Sequence, residues 1–212
     1  MQTAIKKLNR FTTIPFLLDL LYREKLTLLN PAFWEDFNDR ETIEIYRKAV
    51  HAKSIYALCL TYKDETVHHW NAFANGTSGC CIEFKAQPLI DILNRNHILH
   101  GKAQYIRVHD LPTYKYATKK LPYVKRAPFK PESEYRIIAT SADEQGPAFD
   151  IDIDLQIIER ITFSNKIPKT TCDSLKNLIK KNFPNFTGRL HRSTLYSNTR
   201  WINYFSDRTE AG

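Results

Sequence analysis

Glycine is scarce, at 6 of 212 residues, beside 12 Phe and 11 Tyr. That balance leaves little flexible linker and points to a sheet-containing body; nothing in it resembles a phosphate-cradling loop. Cysteine is sparse too. Cys59, Cys80, Cys81 and Cys172 match no zinc-ligand spacing, and Cys80 and Cys81 are adjacent. Reduced thiols in or near the core are expected. No stretch approaches the roughly 20 apolar residues of a membrane span, and the opening MQTAIKKLNRF lacks the apolar segment of a secretory leader. A cytoplasmic protein with no membrane partner is expected. There is no internal repeat, no low-complexity tract and no nucleophile elbow. His68 and His69 are adjacent rather than four apart, which is not the zinc-helix arrangement, and no metal is expected.

What is present is ordinary in amount and uneven in place. Hydrophobic residues make up 42% and charged residues 25%, the balance of a soluble globular chain, which excludes wholesale disorder, collagen and coiled coil. The length suits one domain, spanning 1–212, with a core large enough to fold unaided. The net charge of +8 is segmental: +1 over residues 1–100, +7 over 101–130, −6 over 131–162 and +6 over 163–212. The +7 stretch reads as a basic insertion, and the last stretch as a basic C-terminal extension.

The pattern of elements is mixed. LNRFTT predicts a strand, Pro15–Arg23 a helix and LTLLNP a second strand; FWEDFNDRE reads as turn and 41–52 as helical. SIYALCLTY is a buried strand. Next come a short helix around HHWNAF, a strand GCCIEF, a helix AQPLIDILNRNHIL and a strand KAQYIRV. Residues 110–130 read as loop with some helix. SEYRIIAT is a strand, SADEQGP a turn, DIDIDLQIIERITFS strand material, 172–182 a helix, and the tail from Leu190 a strand followed by aromatics. Without regular βαβ alternation this is α+β: a mixed, largely antiparallel sheet, split or continuous, flanked by helices.

Four motifs recur together here: Asn9-Arg10-Phe11 leading into LLDLLYREKLTLLNPAFWEDFNDRE; YALCLTY followed by WNAFANGTSGCCIEF; Glu132-Ser133-Glu134-Tyr135-Arg136; and IIERITFSNKIPKTTCDSLKNLI. In order and spacing they resemble a prokaryotic group, domain-of-unknown-function family 2971. Arg40 departs from its usual Pro, Thr61-Tyr62 from its Ser, and Pro131 from an aromatic. The order of pieces is also similar to ADP-ribosyltransferases of the Arg–Ser–Glu type. That resemblance implies NAD as substrate. Glu134 becomes the catalytic carboxylate, Glu132 orients the acceptor, and Arg10, with Thr12, lies at the dinucleotide pyrophosphate. Trp70, Phe73, Thr77 and Ser78 shape or brace the nicotinamide pocket. It further implies a toxin-like or phage-defence effector with a neutralising antitoxin or defence-complex partner.

The residues themselves leave alternatives open. Two carboxylates two apart on a strand share a face and could enter one cleft, or form a solvated edge salt-bridged to Arg136. Trp70 and Phe73 could stack a ring or simply fill the core, and His68 or His69 could serve as general base. Asp39 and Glu41, with Glu132 and Glu134, could form a metal-dependent nuclease site, or the Asn38-Asp39 turn could merely cap a helix. Lys115, Lys119, Lys120, Lys125, Arg126 and Lys130, interleaved with Tyr105, Tyr114, Tyr116, Tyr123 and Phe129, read as a nucleic-acid surface, since cations neutralise phosphates and aromatics stack bases. The basic run Arg189 to Arg200 could line the same surface. A non-catalytic nucleic-acid or protein-binding module is the third alternative.

Overall fold

SIYALCLT, β-branched, aromatic and uncharged, becomes the central strand of the sheet. The computed structural model describes residues 4–143 and 146–209. Its elements are β1 (Lys7–Thr13), α1 (Ile14–Arg23), β2 (Lys25–Leu29), α2 (Phe37–Ala49), β3 (Ser54–Thr61), α3 (Val67–Phe73), β4 (Gly79–Lys85), α4 (Ala86–Arg95), β5 (Leu99–Lys102), β6 (Gln104–Ile106), β7 (Val124–Arg126), β8 (Glu134–Ser141), β9 (Ala148–Asp152), β10 (Ile158–Phe163), α5 (Lys169–Asn182), β11 (Arg189–Arg192) and α6 (Thr199–Thr209). The expected α+β class with a mixed, largely antiparallel sheet is what is found. Among the described residues nine strands form the main sheet, in which only β10 and β11 run parallel, and β6 and β7 form a separate parallel pair.

The sheet is split. β8 borders one edge of β3 from Ser54↔Ser141 to Thr61↔Glu134, and β5 lies beyond it. Two strands share the other edge of β3: β1 meets it at Asn9↔Thr61 and β2 at Leu29↔Ala57. β1 then leads to β4, β10 and β11, whereas β2 leads to β9. The ten residues of α1 leave β1 directly, with Pro15 in the first turn, where its missing N–H costs nothing. They carry the chain away before β2 returns.

Alternation then assigns faces. Leu8, Leu58, Leu60, Ile82, Phe84, Ile137 and Ile161 point to one side and form the main core with Leu17, Leu20 and Leu21 of α1 and residues of α4 and α5. Each buried leucine of α1 contributes about 1.5–3 kcal/mol. The other face carries Asn9, Phe11, Cys59, Thr61, Cys81, Glu83, Glu134 and Arg136, and is polar despite its burial.

Several boundaries differ from the sequence reading. Asp36 caps α2, its Oδ1 accepting from the amides of Asn38 and Asp39, so FNDR is the first turn of a helix and not a turn before one. α4 ends at Arg95, and KAQYIRV divides into β5 and β6. Residues 108–132 form three short 3-10 turns around β7. α5 begins at Lys169, and the aromatic tail is helical as α6. Glu144 and Gln145 of the expected turn lie outside the described residues. No helix among the described residues is long and apolar enough to cross a membrane.

One glycine is required by close approach. A Cβ on Gly79 would lie 1.8 Å from the carbonyl oxygen of Ala74, so α3 is seated on β4 only because no side chain intervenes. Gly79→Ala should cost about 3 kcal/mol, because backbone must move. Thermal unfolding checks this: an unchanged midpoint would mean that α3 is not held against β4.

Candidate active site

At the fork between β1 and β3 lies a cavity of about 320 Å3, counting its open mouth. Asn9, Phe11, Cys59, Thr61, His69, Phe73, Glu132 and Glu134 line it. Both expected carboxylates therefore reach one cleft, but not by strand alternation. Glu132 ends a 3-10 turn, Ser133 adopts φ 47° in the left-handed region, and the strand starts only at Glu134. The kink turns Glu132 back towards Glu134.

Beneath the cavity is a buried ion cluster. Arg136 is wholly inaccessible, at 0% exposure, and all five of its N–H groups donate. Nε reaches Glu134 Oε2 at 3.1 Å. Nη1 reaches Asp39 Oδ1 at 2.8 Å and the Pro122 carbonyl at 2.9 Å. Nη2 reaches Asp39 Oδ2 at 2.6 Å and Glu134 Oε2 at 2.8 Å. Lys125 Nζ donates to Glu132 Oε2 at 2.5 Å and lies 3.4 Å from Glu134 Oε2 and 3.7 Å from Asp39 Oδ2. Three carboxylates thus share two cations.

The two lining carboxylates are pushed apart in acidity. Burial raises Glu134, but the Arg136 guanidinium and then Lys125 outweigh it and hold the carboxyl below its ordinary value. Burial dominates at Glu132 and lifts it above the ordinary value against the pull of Lys125. Glu134 is therefore a fixed anion at neutral pH, and Glu132 binds its proton more readily. Burial drives the Cys59 thiol well up, and it donates to Glu134 as a thiol.

His69 is a wall and not a base. Its Nε2 donates to the Glu132 carbonyl at 3.0 Å, which leaves Nδ1 to accept from Thr66 Oγ1 at 2.9 Å. Its ring stacks on Phe11 at 5.1 Å, and burial lowers its pKa. The neutral imidazole has no free nitrogen. Trp70 packs edge-on against Phe11 at 5.3 Å and donates to Glu65 Oε2 at 2.7 Å, so it supports the cavity wall without lining it. Phe73 does line it.

Other expected residues lie elsewhere. Arg10 and Thr12 point away from the carboxylates. Asn9, Thr61 and Glu134 are successive lateral partners on one face, so the neighbouring Arg10 faces the opposite side, near Cys80 and Asp19, where burial lowers it to about 10. The shared Arg10–Glu134 cleft is thereby corrected. Thr77 and Ser78 are exposed in the turn before β4. That strand begins opposite Thr13, roughly 13 Å along the ladder from Asn9↔Glu83, so neither residue lines the cavity. Lys115, Lys119, Lys120, Arg126 and Lys130 are exposed as expected, but Lys125 is buried in the ion cluster, where the carboxylates draw it. β11, which begins the second basic run, sits at the far edge of the sheet from β5, so that run does not extend the 101–130 surface.

The nuclease arrangement fails on the same geometry. Asp39 gives both oxygens to Arg136, Glu41 turns outward beside Arg40, and Lys125 occupies the position between the carboxylates where a metal would sit. Among the described residues no three His, Cys, Asp or Glu side chains are grouped to hold a metal.

Next to the first cavity and sharing Asn9 with it is a second, of about 270 Å3, lined by Lys7, Glu65, Cys81, Glu83, Arg160 and Thr162. Arg160 donates through Nη2 to Glu83 at 2.7 Å, while its Nε is buried without a partner among the described residues. Asn9, Phe11, Thr61 and Arg160 lie within the four motifs, but nothing in those motifs gives them a place in a site. Their only signal is lateral register, which a single strand does not carry.

No family model matches the chain, and no curated protein matches it. Among solved structures, the chain aligns with Thermus sp. 2.9 DarT in complex with ADP-ribosylated ssDNA at 12% identity and TM-score 0.46, over 89% of this chain and 94% of that one. It aligns with the same protein in complex with carba-NAD+ at 10% identity and TM-score 0.43, over 90% and 97%. With its NAD+ complex the values are 9% and 0.44, over 91% and 98%.

Proposed function

We propose that this protein is an ADP-ribosyltransferase-like enzyme that cleaves a nicotinamide dinucleotide at Glu134 and passes the ADP-ribose to nucleic acid or to a protein bound to it. One observation carries the reading: Glu134 is an immobilised anion facing a cavity at the fork of a split sheet, with Phe11 and Phe73 in the walls. The cavity's interior is narrower than a drug-sized site, so it takes no more than the nicotinamide end at its mouth. The rest of the dinucleotide runs outward past Asn9, over the polar surface that begins at Lys7. Lys7 and Arg160, ion-paired in the free protein with Asp64 and Glu83, would exchange those partners for the pyrophosphate, the role that the resemblance gave to Arg10.

In the reaction the bond from ribose C1′ to the pyridinium nitrogen breaks, and its electron pair leaves with neutral nicotinamide. C1′ becomes oxocarbenium-like, and Glu134 lies ready to stabilise that charge without reorganising. The acceptor then bonds to C1′ and gives its proton to Glu132, whose raised pKa suits it to the transfer. The products are nicotinamide, ADP-ribosylated acceptor and one proton.

Glu132→Gln separates the two carboxylates. Nicotinamide release to water should persist within about threefold, while transfer of labelled ADP-ribose should fall roughly 10²-fold, the scale of a general base. Equal loss of both would give the two residues one role. An unrestrained modifier of nucleic acid is toxic, so expression should arrest growth, and Glu134→Gln should restore it. The effector then needs a neutralising partner. Full satisfaction of Arg136 favours the competing reading of a purely structural cluster. That reading stands if active protein and Glu134→Gln behave alike in every assay.

A further inference from the structure

We infer that the groove along the outer edge of β5 binds single-stranded nucleic acid. Its role as the path of the acceptor rests on the transferase reading; the binding itself does not. The groove spans about 630 Å3, counting its open side, and is lined by Lys102, Lys115 and Lys120 together with Tyr114, Tyr116 and Tyr123, with no carboxylate among its lining residues. The chain as a whole carries 23 Asp and Glu, so a lining with three lysines and no acid is a local charge choice, and it complements a polyanion.

The aromatics are arranged as a platform. Tyr114 and Tyr116 stack at 6.3 Å with 19° between their planes. Tyr114 is pinned by its hydroxyl, which donates to Gln104 Oε1 at 2.9 Å, while Tyr116 is 59% exposed. A tyrosine whose only task was to cover the sheet would turn its ring inward, as Tyr123 does against Gly101. Tyr116 instead offers a free ring face beside lysines. A base can stack there only if it is not already stacked in a duplex, which selects single strands, and the lysines then meet the flanking phosphates.

The groove also adjoins the proposed active site. Gln104 is followed by Tyr105, whose hydroxyl accepts the Glu134 backbone amide at 2.8 Å. Lys102 lies 4.7 Å over the ring of Tyr62, next to the cavity residue Thr61. β5, whose edge the groove follows, pairs with β8 at Lys102↔Tyr135, so a strand held there runs beside the strand that carries Glu134.

The test uses the whole protein without dinucleotide, so that no chemistry intervenes. The probe is a fluorescein-labelled 12-mer of oligothymidylate, compared by anisotropy with its duplex on oligoadenylate and with an abasic strand of equal length. The single strand should bind at least about fivefold tighter than either. Lys115→Glu with Lys120→Glu should weaken it at least about tenfold and flatten the dependence of log affinity on log salt by roughly 1.4, at about 0.7 per phosphate. Tyr116→Ala should weaken it about five- to tenfold at unchanged salt slope. Equal binding of duplex or abasic strand, or variants that bind like the parent, would overturn the inference. Because these side chains do not line the Glu134 cavity, nicotinamide release should be unaffected in all of them. If oligothymidylate behaves as expected and nicotinamide is never released, the groove stands and the transferase reading falls.

Discussion

Glu134→Gln should lower nicotinamide release from the dinucleotide by about 10²–10³-fold while the far-ultraviolet circular dichroism stays that of the parent. The loss corresponds to roughly 3–4 kcal/mol of transition-state stabilisation, the scale of one preorganised electrostatic group. Glutamine keeps the shape and an acceptor oxygen for Arg136 Nε and Nη2, but carries no charge to oppose the one that develops on ribose. Folding should survive, because three carboxylates share two cations here and the substitution leaves two facing two. The weaker hydrogen bonds should cost about 2 kcal/mol, or roughly 4–8 °C in thermal midpoint. The acid limb of activity is also informative. With Glu134 held below its ordinary value, a limb that lies above the usual carboxylate range belongs to Glu132 and should move down in Glu132→Gln.

Arg136→Ala should have the largest effect on stability, a loss of about 3–5 kcal/mol and roughly 10 °C. The guanidinium is fully buried, and its removal strands Asp39 and Glu134 without their main counter-charge. The penalty should depend on pH. In the parent, Glu134 has a depressed folded pKa, so its contribution is present above the ordinary carboxylate value and disappears as pH falls through the lower folded value. In the variant, burial without Arg136 raises the folded pKa of both carboxylates, so the folded state is favoured at low pH and loses stability as pH rises through those values. The gap between the two proteins is then widest near neutrality and narrows as pH falls, first through the raised carboxylate values of the variant and then through the depressed Glu134 value of the parent. Combining Arg136→Met with Asp39→Asn and Glu134→Gln should recover most of the stability and none of the activity. A gap that is flat with pH would show that the loss is packing alone.

Both experiments depend on arrangements that the chain discloses to different degrees. Periodicity alone determined the α+β class, the buried central strand SIYALCLT and the apolar face of α1, while a motif resemblance singled out Glu132 and Glu134 as the carboxylates worth testing. Those are properties of neighbours along the chain, and a residue's propensity and the spacing of its apolar companions act over one or two turns. The tertiary structure decided what lies beside what. Arg10 and Asn9 are adjacent in sequence, yet the single ladder position Asn9↔Thr61 sends Asn9 to the cavity and Arg10 to the opposite face. A shift of one residue would have exchanged them. Lys125 looks like its exposed basic neighbours in composition, but Glu132 and Glu134 shortly after it and Asp39 from α2 draw it inward. The left-handed turn at Ser133 brings the carboxylates together where strand alternation does not. Register, ion pairing and a strained backbone angle are each settled by packing around the fork of the sheet, where Asn9, Asp39, Thr61 and the segment 125–136 meet, and no local pattern records them.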